Sequence, residues 1–245
     1  MRTESLAIPS LEAFCLDNLI TDVLYPLKSG KEATVYCCKA HPSTGVELLA
    51  AKVYRPLKMR SFRNDAIYQE GRVITDARLR RAYEKKTRRG RQVQFGGWVE
   101  REFEMLDVLE AAGGDVPIPV AHSGPAILME YVGDAESPAP PLRSVSLEAD
   151  EAKELFGVVM RNIELFLAHH CVHSDLSAFN ILYWQGNVKI IDFPQAVDAY
   201  ANPNAFSLLA RDIYHVCRYF AKYGANADPV WLAEDLWRRF LREEL

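Results

Sequence analysis

The chain has 245 residues, of which 49% are hydrophobic and 25% charged, with a net charge of −4. Such a composition suits an ordinary globular protein long enough for two cores, and it argues against nucleic-acid binding by the whole surface. No apolar run reaches bilayer-spanning length and no apolar leader follows Met1-Arg2-Thr3, so neither a membrane span nor a secretory signal is expected.

Residues 6–25 place Leu11, Phe14, Leu16, Leu19, Ile20 and Val23 among acids, which predicts a short amphipathic segment. An N-terminal extension over 1–26 is expected to pack on the lobe that follows. Residues 27–40 read as strand, glycine turn and strand, and 46–54 as a third strand, giving a small antiparallel sheet. Cys37 and Cys38 are adjacent on the second strand, so their side chains point to opposite faces. The cysteines are odd in number, and no pair has C-x-x-C spacing. That pattern fits reduced thiols in the cytoplasm.

Residues 56–97 are polar and end in Gly96-Gly97, and from Arg78 to Arg91 the basic residues meet a single acid, Glu84. This basic insertion is a poor candidate for a core. As a charge run it is either solvated surface or a surface for RNA phosphates or an acidic partner. A helix is expected from about Trp98, with Phe103, Leu106, Leu109 and Ala112 on one face and Gly113-Gly114 as its stop. Residues 126–132 read as a buried strand that closes an N-lobe over 27–132. The proline- and acid-rich stretch 133–141 reads as the boundary of a mainly helical C-lobe over 133–245. Within it, 148–170 carries a broad apolar stripe for a core helix, and two short strands flank Gln185-Gly186-Asn187. Helices are predicted at about 203–223 and 228–243.

The chemistry concentrates in His173-Ser174-Asp175-Leu176-Ser177-Ala178-Phe179-Asn180 and, later, Ile190-Ile191-Asp192. A carboxylate at Asp175 can orient a hydroxyl and take its proton, while Asn180 and Asp192 offer hard oxygen ligands to magnesium against nucleotide phosphates. Each residue alone would also suit a turn or a strand end. Their joint order, each stretch preceded by apolar structure, favours phosphoryl transfer.

Lys52 shares a strand face with Ala50 and Tyr54, where a cation can neutralise phosphates; alone it would read as an exposed strand lysine. Glu102 can pair with Lys52 or belong to a solvated helix face. Ser29-Gly30-Lys31-Glu32-Ala33 suits either a phosphate-facing turn or an ordinary hairpin. His169, His170 and His173 resemble no complete metal-ligand set and read as helix-end and loop packing.

With these residues in hand, the chain resembles the RIO family of atypical serine/threonine protein kinases over roughly 27–223. The carriers are Lys28-Ser29-Gly30-Lys31-Glu32-Ala33, the His173 to Leu182 loop, and Ile191-Asp192-Phe193-Pro194-Gln195-Ala196; Arg211-Asp212 also fits. The resemblance implies an α+β, two-lobed protein-kinase-like fold that binds ATP and Mg2+ between its lobes. In it Asp175 is the base, Lys52 contacts the α- and β-phosphates, Glu102 pairs with Lys52, and Asn180 and Asp192 hold metal. Ser29 and Lys31 lie near the phosphates. Met129, the backbone of Glu130 and Val132, and Ala50, Leu182 and Ile191 form the adenine site. An ATPase-like cycle through phosphorylated Asp192 belongs to the same resemblance, as does contact of the basic 78–91 segment with ribosomal RNA or a pre-ribosomal particle.

The sequence departs from the family at Lys28-Ser29, where Ser-Thr is common, and at Phe193-Pro194 after Asp192. It shows no A-P-E segment, and with so short a stretch before the first strand the branch that carries an N-terminal winged helix is not expected. Three functions are carried forward. The first is a RIO-type kinase or ATPase acting on protein hydroxyls, itself or water. The second is a small-molecule phosphotransferase of the aminoglycoside or choline kinase type. The third is a nucleotide-gated ribosome-assembly module.

Overall fold

The computed structural model describes residues 8–55 and 88–245, with side chains described from Val99 onward in the second stretch. Residues 1–7 of the extension, the basic insertion as far as residue 87, and the side chains of its remainder lie outside the described residues. The chain divides into two compact units. The first takes in the N-terminal strands and residues 117–138, and the second residues 105–116 and 139–245.

The first unit opens with α1 (Glu12–Leu16). Asn18 ends this turn in the left-handed region (φ 54°), a conformation asparagine tolerates, and Leu19 N–H returns to Phe14 O at 2.9 Å. The chain then enters β1 (Ile20–Ser29), followed by β2 (Ala33–Ala40), β3 (Leu48–Tyr54), β4 (Pro119–Ser123) and β5 (Ala126–Glu130). These strands form one antiparallel sheet in the order β1-β2-β3-β5-β4.

Strand β1 starts earlier than its sequence signals imply, so residues 20–26 belong to the sheet and not to an extension packed upon it. It lies at the sheet edge with three register shifts, the setting in which Pro26 costs no ladder bond inside a sheet. Strand β4 went unread in the sequence because Pro117 and Pro119 masked it; it occupies the opposite edge.

The sheet buries both faces. Cys38 joins Leu11, Phe14, Ile20, Val23 and Leu49 on one, while Cys37 joins Ala50, Tyr54, Ile127, Met129 and Val99 on the other. Adjacent cysteines thus fall into different clusters, as strand alternation requires. Burial pushes the Cys38 thiol up to about 12, which keeps it protonated and inert.

Helix α2 (Arg88–Ala111) extends N-terminal to Trp98 through Gly96-Gly97. Each glycine costs roughly 1 kcal/mol relative to alanine, but the flanking arginines and glutamines are good helix formers. Its residues through Glu104 count with the first unit, and those from Met105 with the second.

The second unit is built on α3 (Ala149–Ala168), α4 (Ala205–Phe220) and α5 (Pro229–Leu241). Short strands β6 (Cys171–Val172), β7 (Ile181–Trp184), β8 (Asn187–Ile190) and β9 (Val197–Asp198) pair as β6-β9 and β7-β8. The core joins Leu155, Val159, Ile163 and Phe166 of α3 to Leu176, Ile181, Val188, Ile190, Ile213 and Phe220. Buried Asn162 links α3 to the loop at Asp115: its Oδ1 accepts from Asp115 N–H and its Nδ2 donates to Asp115 Oδ2, both at 2.7 Å. Asp115 O in turn accepts from Ile190 N–H at 2.7 Å, so the strand leading into Asp192 is anchored to the core helix. Among the described residues, no helix is long and apolar enough to cross a membrane.

Candidate active site

In the first unit, β3 delivers Lys52 to the buried face shared with Ala50 and Tyr54. Its Nζ donates to Glu102 Oε1 of α2 at 2.7 Å, and Tyr54 Oη–H donates to Glu102 Oε2. Lys52 is 7% exposed and Glu102 2%. An ion pair this dry persists only with its charges matched and its remaining acceptor satisfied, and Tyr54 supplies that second bond. The Lys52 ammonium also lies 5.0 Å from the centre of the Tyr54 ring. The readings of Glu102 as solvated helix face and Lys52 as exposed strand lysine are excluded. The bond of Tyr54 to Glu102 has no signal in the sequence, because nothing local marks a tyrosine that bonds forty-eight positions away.

The β1–β2 turn carries Ser29 and Lys31. Gly30 N–H donates to Ala33 O at 2.9 Å, so that amide is committed inside the turn. Lys31 is exposed, and Ser29 Oγ accepts from Arg55 Nη2 at 2.7 Å. Ala50 and Met129 are buried on the face that carries Lys52. Glu130 N–H donates to Ile118 O at 2.8 Å and its carboxylate accepts from Ile118 N–H at 3.1 Å, which ties the end of β5 to the approach to β4. Val132, just beyond β5, is half-buried.

In the second unit the loop between β6 and β7 carries Asp175 and Asn180. It is held from below by Asp212 of α4, whose two carboxylate oxygens accept Ser174 N–H at 2.7 Å and Leu176 N–H at 3.0 Å. Arg211 donates to Ser174 O. Ser174 is therefore fixed through both backbone groups, which holds it in the left-handed region at φ 67° despite the cost for a non-glycine residue. Asp175 is presented outward while its neighbours Ser174 and Leu176 are buried.

Asn180 Nδ2 donates to Asp175 O at 2.9 Å and lies 3.4 Å from Asp175 Oδ2, so the amide nitrogen is used locally and Oδ1 is left as a ligand oxygen. Ile191 N–H donates to Asn180 O at 2.9 Å, and His173 Nε2–H donates to Ile191 O at 3.1 Å. Those two bonds tie the segment carrying Asp192 to the loop carrying Asp175 and Asn180. Asp192 is also in the left-handed region, at φ 77°. Leu182 and Ile191 are half-buried beside this group. His173 acts as a strut here, in keeping with the packing reading of the histidines.

Loss of hydration and the nearby Asp192 charge raise the Asp175 carboxyl above the usual range, opposed by Arg211, Asn180 and His215. A neighbouring like charge disfavours the anion of Asp175, and a cation bound at Asp192 would relieve that effect. Burial pushes Asp212 up to about 7, against the two backbone N–H groups that favour its anion.

Among the described residues, no three His, Cys, Asp or Glu side chains converge as a complete metal cage. Magnesium does not need one: it takes one or two protein oxygens together with phosphate and water. Asn180 and Asp192 fit that requirement. What the sequence left unassigned is the bonding role of Arg211 and Asp212, since only tertiary contact reveals which loop a helix residue holds.

The α+β arrangement, an antiparallel-sheet unit with a buried Lys–Glu pair and a mainly helical unit with an Asp–Asn–Asp group, is protein-kinase-like. Two Rio2 kinase structures from Chaetomium thermophilum align with 87% of this chain at TM-scores of 0.62 and 0.64; the first is described as an ADP/Mg2+-phosphoaspartate complex. They share 24% and 25% identity with it, and it covers 59% and 61% of those chains. The model of the RIO domain matches residues 34–230, and the chain belongs to the RIO family.

Among its relatives, the RIO-type serine/threonine-protein kinase Rio1 of Thermoplasma acidophilum is 34% identical over 76% of this chain and 91% of that protein. The human serine/threonine-protein kinase RIO1 is 32% identical over 84% of this chain, and the Schizosaccharomyces pombe enzyme 32% identical over 86%. The chain spans only 34% and 40% of the lengths of those two proteins.

Proposed function

We propose that this protein is an ATP- and magnesium-dependent phosphotransferase of the serine/threonine kinase type, able to pass the γ-phosphoryl group to a protein hydroxyl, to itself or to water. The observation that carries this reading is the Asp175–Asn180–Asp192 group, held by Asp212, Arg211 and His173 in one arrangement. The names of its relatives favour a protein hydroxyl over an aminoglycoside or choline.

Asp175 accepts the proton of the attacking hydroxyl as the new oxygen–phosphorus bond forms and the γ-phosphorus bond to ADP breaks. Asn180 Oδ1 and Asp192 would hold magnesium, which when bound would neutralise charge on the phosphates. Lys52, aimed by Glu102 and Tyr54, takes the α- and β-phosphates. Ser29 and Lys31 attend the phosphate chain. Ala50, Met129, Leu182, Ile191 and the backbone at Glu130 and Val132 receive the adenine. Asp192 would be the residue to carry a phosphoaspartate of the kind named for the Chaetomium thermophilum complex.

The five free thiols support a cytoplasmic setting. The basic run from Arg78 to Arg91 supports contact with ribosomal RNA or a pre-ribosomal particle, with nucleotide as its gate. Incubating purified protein with magnesium and γ-labelled ATP tests the main reading. Label on the protein or released phosphate is expected, and both are abolished in Asp175→Ala. Turnover that survives this substitution would refute the assignment.

A further inference from the structure

We propose that Arg55 is a positioning residue for the phosphate chain, acting through the hydroxyls of Ser29 and Thr34; this rests on the nucleotide reading above. Arg55 lies just past β3, and its backbone N–H donates to Glu32 O at 2.8 Å. Its Nη2 donates to Ser29 Oγ at 2.7 Å and to Thr34 Oγ1 at 3.3 Å. One guanidinium therefore spans both stems of the β1–β2 turn.

The chemistry of this staple is directional. A guanidinium only donates, so a hydroxyl that meets it must accept and is left with its own hydrogen to give. The two hydroxyls are 3.4 Å apart, so at most one of their hydrogens can be spent within the pair. The staple thus turns a hydroxyl pair into an outward hydrogen-bond donor beside a fixed positive charge, which is the polarity an anion needs. It also answers a deficit. With Gly30 N–H committed to Ala33 O, the turn cannot offer that amide to phosphate without breaking itself. The glycine does not supply unusual geometry either, since a Cβ at position 30 would meet Ala33 O at an ordinary 3.5 Å. Side-chain donors held by Arg55 take the place of the backbone cradle that glycine-rich phosphate loops use.

The test is calorimetric titration of the full chain with magnesium-ATP and separately with adenosine, comparing wild type with Arg55→Ala, Arg55→Lys, Ser29→Ala and the Arg55→Ala/Ser29→Ala pair. Arg55→Ala should weaken ATP about tenfold and leave adenosine unchanged, the scale of one charge-assisted hydrogen bond. Arg55→Lys keeps the charge but loses the fork and should recover part of that loss. The double variant should be no worse than Arg55→Ala. Equal losses for ATP and adenosine would reduce Arg55 to a structural staple and overturn the inference, as would an unchanged ATP-to-adenosine ratio or additive losses in the pair. Should Arg55→Ala not fold, the ratio in Arg55→Lys decides by the same rule. Wild-type protein that binds no nucleotide would sink the underlying reading as well, whereas wild-type binding with an unmoved ratio sinks only the role of Arg55.

Discussion

Lys52 and Glu102 stand fifty positions apart in the sequence and meet at 2.7 Å, on a sheet face where neither is more than a tenth exposed. Tyr54 completes the pair by donating to the second carboxylate oxygen. A buried ion pair is held by mutual dependence. Removing one member strands the other in a medium that hydrates it poorly.

Glu102→Ala should therefore lower unfolding stability by about 3 kcal/mol, the cost of an uncompensated buried charge. Glu102→Gln should cost less, because the amide oxygen still accepts from Lys52 or Tyr54. Chemical denaturation of the purified variants measures both. Phosphate release should fall in each, since Lys52 loses its direction.

Replacing the base separates chemistry from binding. Asp175→Asn should cut the phosphoryl-transfer rate by about 10²- to 10⁴-fold, the range of general-base contributions, with ATP affinity little changed. Single-turnover kinetics beside equilibrium titration distinguish the two. An equal loss of affinity would mean that Asp175 binds nucleotide and does not act as the base.

Metal binding has its own signature. Asn180→Ala should raise the magnesium concentration needed for half-maximal turnover by at least about tenfold. Chelation of magnesium should abolish label transfer while adenosine still binds. A magnesium titration of wild type and variant checks both expectations.

The pH response of the reaction turns on Arg211. Its charge lowers the Asp175 carboxyl, which partial loss of hydration and Asp192 raise. Arg211→Gln removes that cation, so the anion of Asp175 becomes harder to form. The acid limb of the kcat/KM profile should move to higher pH. A shift to lower pH would contradict the assignment of that limb to Asp175.

Stability against pH turns on Asp212. Burial raises its carboxyl from the ordinary carboxylate range to about 7 on folding. Between those values the folded chain keeps a proton that the unfolded chain has lost, so this group's contribution to stability declines as pH rises and levels off above about 7. Asp212→Asn leaves one acceptor oxygen for two backbone N–H groups, at a cost of about 1–3 kcal/mol. The stability gap between wild type and variant should be widest near pH 4 and narrow towards pH 7. Denaturation across that range checks the trend.

What could be read directly from the chain was whatever local spacing enforces. Alternation along a strand put Cys37 and Cys38 on opposite faces, and the apolar stripe of 148–170 announced the core helix. Asp175, Asn180 and Asp192 stood out because phosphoryl transfer demands particular oxygen groups in a particular order, so chemistry leaves its mark on the residue string. Lys52 was visible for the same reason, from its place within an apolar strand.

Other features depended on partners distant in sequence. Strand β4 lay hidden between prolines, because an edge position tolerates missing ladder donors and a sequence does not announce where an edge will be. Glu102 stood among three other charged helix residues, and only burial beside Lys52 and Tyr54 singled it out. Asp212 could be noticed, but its grip on Ser174 and Leu176 bridges more than thirty positions. The candidate reacting groups were thus nameable from the chain itself. Their orientation was decided by tertiary packing, because a hydrogen bond or ion pair depends on where two groups meet in space, and that meeting is fixed only once the cores have formed around them.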